Sequence, residues 1–273
     1  MTIPEPLSTA TSSAAPVILV TDSAGVRTIT LNRPAAFNSF NLALKGALLA
    51  ALDDAATEPT VRAVVITGAG RAFCAGQDLK EHLALVSARD PRVATTVQEF
   101  YNPLVVALTG MRKPVVAAVN GAAVGAGVNL ALVCDVIVAG ASARFDTRFL
   151  RLGIHPGGGH TWMLQRRVGS QAAAAMVLFG RVLDGPAAAE AGLAWTCVPD
   201  DELLATCREM AAVAAAAPRE LVSRIRATMR DVQAIDDHDA AVERELDPQV
   251  WSINQPAFQE KLAAMQRRIS SRG

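Results

Sequence analysis

Two hydrophobic patterns alternate along this chain. One is the short, unbroken apolar run; the other is the longer stretch with apolar residues at helical spacing. Residues 17–22 and 26–31 are β-rich runs around Ser23-Ala24-Gly25, which reads as a hairpin. Residues 41–57 read as a helix that Asn41 can cap, with Leu42, Leu48, Leu49 and Leu52 on one face, ended by Glu58-Pro59. Residues 63–66 (within the strand read over 62–67), 115–119 and 136–139 are unbroken apolar runs, the pattern of strands buried on both faces. Helical spacing resumes at Asp78, over 91–111 and over 128–134. After residue 139 an irregular stretch precedes helices at 160–168 and 171–179. Strands that alternate with helices imply parallel pairing through crossovers, an α/β class. Beyond Gly185-Pro186 the pattern is helical: two helices around Pro218, then residues 236–269, interrupted near Pro248 and Pro256. The division this suggests is a tail over 1–16, an α/β core over 17–200 and a helical region over 201–273.

Two of the strands run into glycine turns. Lys113-Pro114 leads into 115–119, Asn120-Gly121 breaks the run, and Gly125-Ala126-Gly127 opens the helix that ends near Cys134-Asp135. Residues 61–81 repeat the idea with Gly68-Ala69-Gly70 and then Ala75-Gly76-Gln77-Asp78. A strand, a glycine turn and a helix in succession leave free backbone N–H groups at the helix N-terminus, a place for an anion or a developing oxyanion. Close packing of helix on strand also asks for small residues, so the pattern by itself serves both readings.

Composition narrows the class. The chain has 273 residues, 51% hydrophobic and 19% charged, enough to bury one large core with a helical appendage. No apolar run approaches the roughly 20 residues of a membrane span. Twenty-six basic and 26 acidic residues cancel, which argues against a nucleic-acid partner. Cys74, Cys134, Cys197 and Cys207 form no CxxC pair and no zinc spacing, so we expect reduced thiols, no metal and a cytoplasmic location. Residues 1–16 hold no Arg or Lys and no apolar segment of signal-peptide type, and read as a disordered tail.

Taken together, the pieces resemble the crotonase (enoyl-CoA hydratase/isomerase) superfamily. They are Leu31-Asn32-Arg33-Pro34 with Asn38, residues 67–79, residues 114–135, Ser142-Ala143-Arg144-Phe145, and Leu152-Gly153-Ile154-His155-Pro156 with Gly157 to Gly159. They occur in the family's order over nearly the whole chain. The resemblance implies a β-β-α spiral core, a helical C-terminal region that builds homotrimers or homohexamers, and an acyl-CoA thioester as substrate. Coenzyme A would then be part of the substrate, with no permanently bound cofactor. It also implies that two backbone amides, here those of Gln77 and Ala126, meet the thioester oxygen. A backbone donor is indifferent to its own side chain, although Ala126 asks for a negative φ that glycine would not. Asp78 reads as a turn or cap residue.

The same resemblance exposes a departure. The family's hydratases use two glutamates, and the matching positions here are Asn129 and Phe149. An amide is no general base, and a phenyl ring transfers no proton. Hydration by two carboxylates therefore cannot run on these positions. Three readings follow: another reaction through the retained amides, acyl-CoA binding without turnover, or weak hydration by water held at Asn129. For the first, Asp146, His155 and His160 are the candidate acid–base groups. Asp146 can instead pair with Arg144, Arg148 or Arg151, and His160, at a helix start, can instead pack. For coenzyme A, the resemblance points to Ala36, Phe37, Ala75, Asp78, Leu79 and Lys80, with Arg71 adding charge. Phe258 and Lys261, one helical turn apart, would cover the adenine of a neighbouring subunit.

Rival classes fail on spacing. Gly68-Ala69-Gly70 begins a dinucleotide fingerprint, but Phe73 stands where its last glycine belongs. No Walker lysine and serine follow Gly125 or Gly159, and no GxSxG serine turn occurs.

Overall fold

The computed structural model describes residues 15–270. The tail expected over 1–16 lies almost wholly outside them. The hairpin forms from β1 (Ile18–Ser23) and β2 (Val26–Leu31), paired antiparallel. Next, β3 (Ala63–Gly68), β5 (Val115–Val119), β7 (Val136–Gly140) and β10 (Thr196–Val198) join β2 in parallel, giving a six-stranded sheet ordered β1-β2-β3-β5-β7-β10.

A second sheet was not legible in the pattern, because its strands are only two or three residues long. It comprises β4 (Ala72–Cys74), β6 (Ala122–Val124), β8 (Arg144–Asp146) and β9 (Leu183–Asp184), in the order β4-β6-β8-β9. The stretch expected to be irregular after residue 139 thus contains β8. Each turn of the spiral runs from a long strand to a short one and then to helix. The units are β3-β4 followed by α2 (Leu79–Ser87), β5-β6 followed by α5 (Ala126–Leu132), and β7-β8 followed by α6 (His160–Val177). This is the β-β-α spiral of the α/β class that the sequence implied.

Alternation along the long strands sorts two cores. Ile29, Val64, Ile66, Ala117, Val119 and Ile137 face one layer with α1 (Leu42–Thr57), α4 (Asn102–Gly110) and α5. Val65, Val116, Ala118 and Val138 face the other, closed by Leu203, Cys207, Ala211 and Ala215 of α8 (Leu203–Ala216). Because α8 completes that second core, the boundary drawn at residue 200 falls inside one packed unit.

Several local expectations shift. In α1, Asn41 caps as expected, accepting from the Leu44 amide at 2.9 Å, but Leu42 is exposed and Leu44 takes the buried face. The helix after the 115–119 strand starts at Ala126, two residues early, because Gly125 (φ 52°) makes the turn. The helix expected over 91–111 is α3 (Arg92–Thr96), a π turn (Val97–Tyr101) and α4. The two helices expected on either side of Gly169 do form: Gly169 leaves helical geometry (φ 74°, ψ 170°) and divides α6 into two helical halves. Beyond α7 (Gly185–Glu190) and α8 come α9 (Arg219–Asp231), α10 (His238–Ile253) and α11 (Pro256–Ser270). Pro248 does not interrupt α10, which runs through it; the break falls at Asn254-Gln255, and Pro256 opens α11.

Candidate active site

Two turns that are 49 residues apart in sequence, at Gly76-Gln77 and Gly125-Ala126, adjoin in space. Gly76 has φ +80°, and a Cβ there would stand 2.5 Å from the Val124 carbonyl and 3.3 Å from the Ala126 nitrogen. A Cβ on Gly127 would overlap the Cys74 carbonyl. These two glycines therefore let the chains carrying Gln77 and Ala126 approach closely.

Neighbouring amides at both turns are already spent. Asp78 N–H donates to Phe40 O (3.1 Å), Phe40 N–H to Gly76 O (2.7 Å) and Gly125 N–H to Asp146 O (2.9 Å). Among the described residues no backbone acceptor stands opposite the Gln77 or Ala126 N–H, and both residues are half-buried. Ala126 is the first residue of α5, where the helix itself leaves the N–H without a partner.

The side chain of Gln77 is tied down: its Oε1 accepts from the Tyr101 hydroxyl at 2.6 Å. Tyr101 is the chain's one tyrosine and sits in the π turn, edge-on to Phe40 and Phe100. A π turn re-aims side chains relative to a regular helix. Burial raises the phenol's pKa, so it stays a neutral donor. The sequence reading missed this residue; its one signal was that it is the single tyrosine of the chain.

Asn129 and Phe149, the two residues at which the resemblance leads one to expect glutamates, meet the same third residue, His160. Asn129 lies one turn into α5 and is buried. Its Nδ2 donates to Gly157 O at 2.8 Å, and its Oδ1 lies 2.6 Å from His160 Nδ1. Since the Gly157 carbonyl can only accept, the amide orientation is fixed. Oδ1 then requires a hydrogen on Nδ1. His160 is a neutral imidazole with a bare Nε2, and that buried nitrogen has no hydrogen-bond partner among the described residues. Burial lowers the pKa of His160 to about 4. The Phe149 ring packs edge to face with the imidazole at 4.9 Å, and its Cζ is 4.0 Å from where a Cβ on Gly125 would be. His160, Asn129, Phe149 and the Gly125-Ala126 turn form one continuous wall.

Two other candidates are taken out of play. Asp146 is buried, but its Oδ2 accepts from Arg148 Nη2 at 2.6 Å and Nε at 3.0 Å, with Arg151 at 3.8 Å. His155 is exposed, with Nδ1 2.7 Å from the Pro156 carbonyl.

The residues expected to touch coenzyme A gather on one side of the two turns. Asp78 caps α2, accepting from the Lys80 and Glu81 amides, and pairs with Arg33 at 3.0 Å. Burial there opposes ionisation, but the Glu81 amide and Arg33 outweigh it and hold the carboxyl below its ordinary range. Asn38 braces the loop: Oδ1 accepts from Arg33 N–H, while Nδ2 donates to Ala69 O and Ala72 O. Ala75 N–H donates to Phe37 O, and the Arg71 guanidinium sits 4.6 Å over the Phe37 ring. Ala36, Phe37, Arg71 and Ala75 thus form one group, next to exposed Leu79 and Lys80. Phe258 and Lys261 lie on α11, which packs on α10, and both face solvent in the single chain.

No described helix is long and apolar enough to cross a membrane, and no cluster of His, Cys, Asp and Glu among the described residues could hold a metal.

Comparison with known proteins agrees with this architecture. The enoyl-CoA hydratase/isomerase family matches residues 21–268. A protein of Mycobacterium tuberculosis described as a probable enoyl-CoA hydratase is 46% identical over 259 residues, 93% of this chain and 98% of that one. The 1,2-epoxyphenylacetyl-CoA isomerase of Escherichia coli is 42% identical over 187 residues, 68% of this chain and 71% of its own length. The crystal structure of an enoyl-CoA hydratase from Bacillus anthracis superposes with a TM-score of 0.86 at 30% identity, covering 92% of this chain and 96% of that one. The chain belongs to the enoyl-CoA hydratase/isomerase family.

Proposed function

We propose that this protein enolises an acyl-CoA thioester held by the Gln77 and Ala126 amides, and that it is not a two-glutamate hydratase. The observation that carries this reading is the pairing of two adjoining turns, each with an amide free of backbone acceptors, beside positions 129 and 149 that hold no carboxylate. Two such donors stabilise charge on one oxygen, and removing one typically costs about 3–4 kcal/mol of barrier lowering. Coenzyme A enters as part of the substrate, along the group formed by Ala36, Phe37, Ala75, Asp78, Leu79 and Lys80. The names of the relatives, hydratases and an isomerase of CoA thioesters, support that substrate class.

The protein works as a homotrimer or homohexamer in this reading. Val242, Leu246, Val250, Phe258, Leu262 and Met265 are exposed along α10 and α11, an apolar load that a second copy would cover. Buried or half-buried free thiols fit a reducing, cytoplasmic setting and fatty acyl metabolism there.

The test is a turnover screen across acyl-CoA classes with calorimetric binding in parallel. Binding with slow or absent hydration of crotonyl-CoA is expected. Hydration at the rate of ordinary hydratases would overturn the non-hydratase half. Binding without chemistry on any thioester would favour a non-catalytic acyl-CoA-binding protein.

A further inference from the structure

We infer that His160 is the general base of this site, taking a proton from Cα of a β,γ-enoyl-CoA at its bare Nε2 and returning it to Cγ. This deepens the reading above and rests on it. Histidines that merely pack in a core have both ring nitrogens satisfied, whereas Nε2 of His160 is buried and unpartnered. A lone pair in that state is an acceptor waiting for a proton. The opposite nitrogen is fixed by Asn129, so the tautomer that bares Nε2 is imposed by the fold. Asn129 is itself locked by Gly157 O, and a Cβ on Gly158 would come within 3.1 Å of its Nδ2. Asn129 is thus a positioning residue, acting through His160.

The step balances without a co-reactant. Nε2 takes the Cα proton and becomes imidazolium. The C–H electron pair forms the Cα–carbonyl double bond, and the carbonyl π pair moves onto oxygen, facing the Gln77 and Ala126 amides. When the carbonyl re-forms, the double bond shifts to Cα–Cβ, and the former Cβ–Cγ pair takes the proton back from Nε2. One imidazole can perform both transfers. A single shuttling base therefore suits a double-bond shift in a site where Asn129 and Phe149 supply no carboxylate. Burial keeps the resting imidazole neutral, and the adjacent enolate stabilises the imidazolium as it forms.

The test uses a β,γ-hexenoyl-CoA probe with the wild type, His160→Gln and His160→Ala. Two readouts are appearance of the conjugated thioester and transfer of deuterium from a Cα-dideuterated probe to Cγ. The expected result is a loss of roughly 10²–10⁴-fold in both for either variant, the range of general acid–base catalysis. Calorimetric affinity for the thioester and Tm would confirm that the variants bind and fold. Selective ¹⁵N labelling of histidine in the wild type is a second measure that needs no variant: His160 should report a protonated Nδ1 and a bare Nε2. Variants within about threefold of the wild type, a wild type that binds the probe but leaves its double bond unshifted, or the opposite tautomer would overturn the assignment to His160. Failure to bind any acyl-CoA would instead overturn the underlying reading of the site.

Discussion

Oδ1 of Asn129 lies 2.6 Å from Nδ1 of His160, joining α5 to the first residue of α6. That contact joins two residues 31 apart in the chain, which sequence spacing does not put side by side. Phe149 packs on the same imidazole. The three side chains form one packed group around a buried neutral imidazole, and the consequences can be measured.

Acid should destabilise the fold through His160. In the unfolded chain the imidazole protonates below its ordinary value of 6.5, whereas in the fold it resists until about 4. The associated stability is fully present above pH 6.5 and is lost as pH falls towards 4. Its size is roughly 3 kcal/mol, at about 1.4 kcal/mol per pH unit. Urea titrations of the wild type between pH 7 and 4 should lose that much, and His160→Gln should lose clearly less over the same interval.

Gly76→Ala should separate the two turns. The new methyl group meets the Val124 carbonyl, and the left-handed φ adds strain of about 1–3 kcal/mol. Lowered Tm, together with weaker binding of a CoA thioester by calorimetry, is expected. Unchanged affinity in a folded variant would detach the Gln77 turn from the ligand.

Asp146→Asn should cost stability and spare chemistry. Its carboxylate is committed to Arg148. Loss of one partner of a largely buried pair, discounted because Arg148 is 46% exposed, corresponds to about 1–3 kcal/mol. Turnover per folded molecule should stay within a few fold, measured on whichever thioester the wild type converts.

Asn129→Glu combined with Phe149→Glu should raise hydration of crotonyl-CoA, followed by loss of the enoyl absorbance. His160 contacts both positions, so adding His160→Gly, which clears the imidazole, should raise it further. No gain in either folded variant would mean that the pocket has diverged beyond these three side chains.

Legibility followed length and locality. Strands β3, β5 and β7 were readable because four or five consecutive apolar residues rich in valine have few other uses, and α1 because Asn41 supplies a local cap. The glycine turns were readable because Gly76 and Gly127 are dictated by sterics. The strands β4, β6, β8 and β9 were not: two or three residues carry no period, and their pairing partners lie far along the chain. Pro248 misled because a single missing donor can be absorbed by a helix that is otherwise continuous. Tyr101 escaped notice because its role depends on a π turn, which no spacing rule marks.

The order of glycine turns, the family and the identity of residues 129 and 149 were therefore determined by sequence alone, since each is a matter of which residue follows which. Which candidate acid–base group stands free was decided only by tertiary structure. Asp146 and His160 stood as equal candidates, one able to pair with arginines and the other able to pack. Folding placed two arginines beside Asp146 and left one nitrogen of His160 buried without a hydrogen-bond partner among the described residues. Burial and hydrogen bonding are properties of neighbours in space, and those neighbours come from distant parts of the chain.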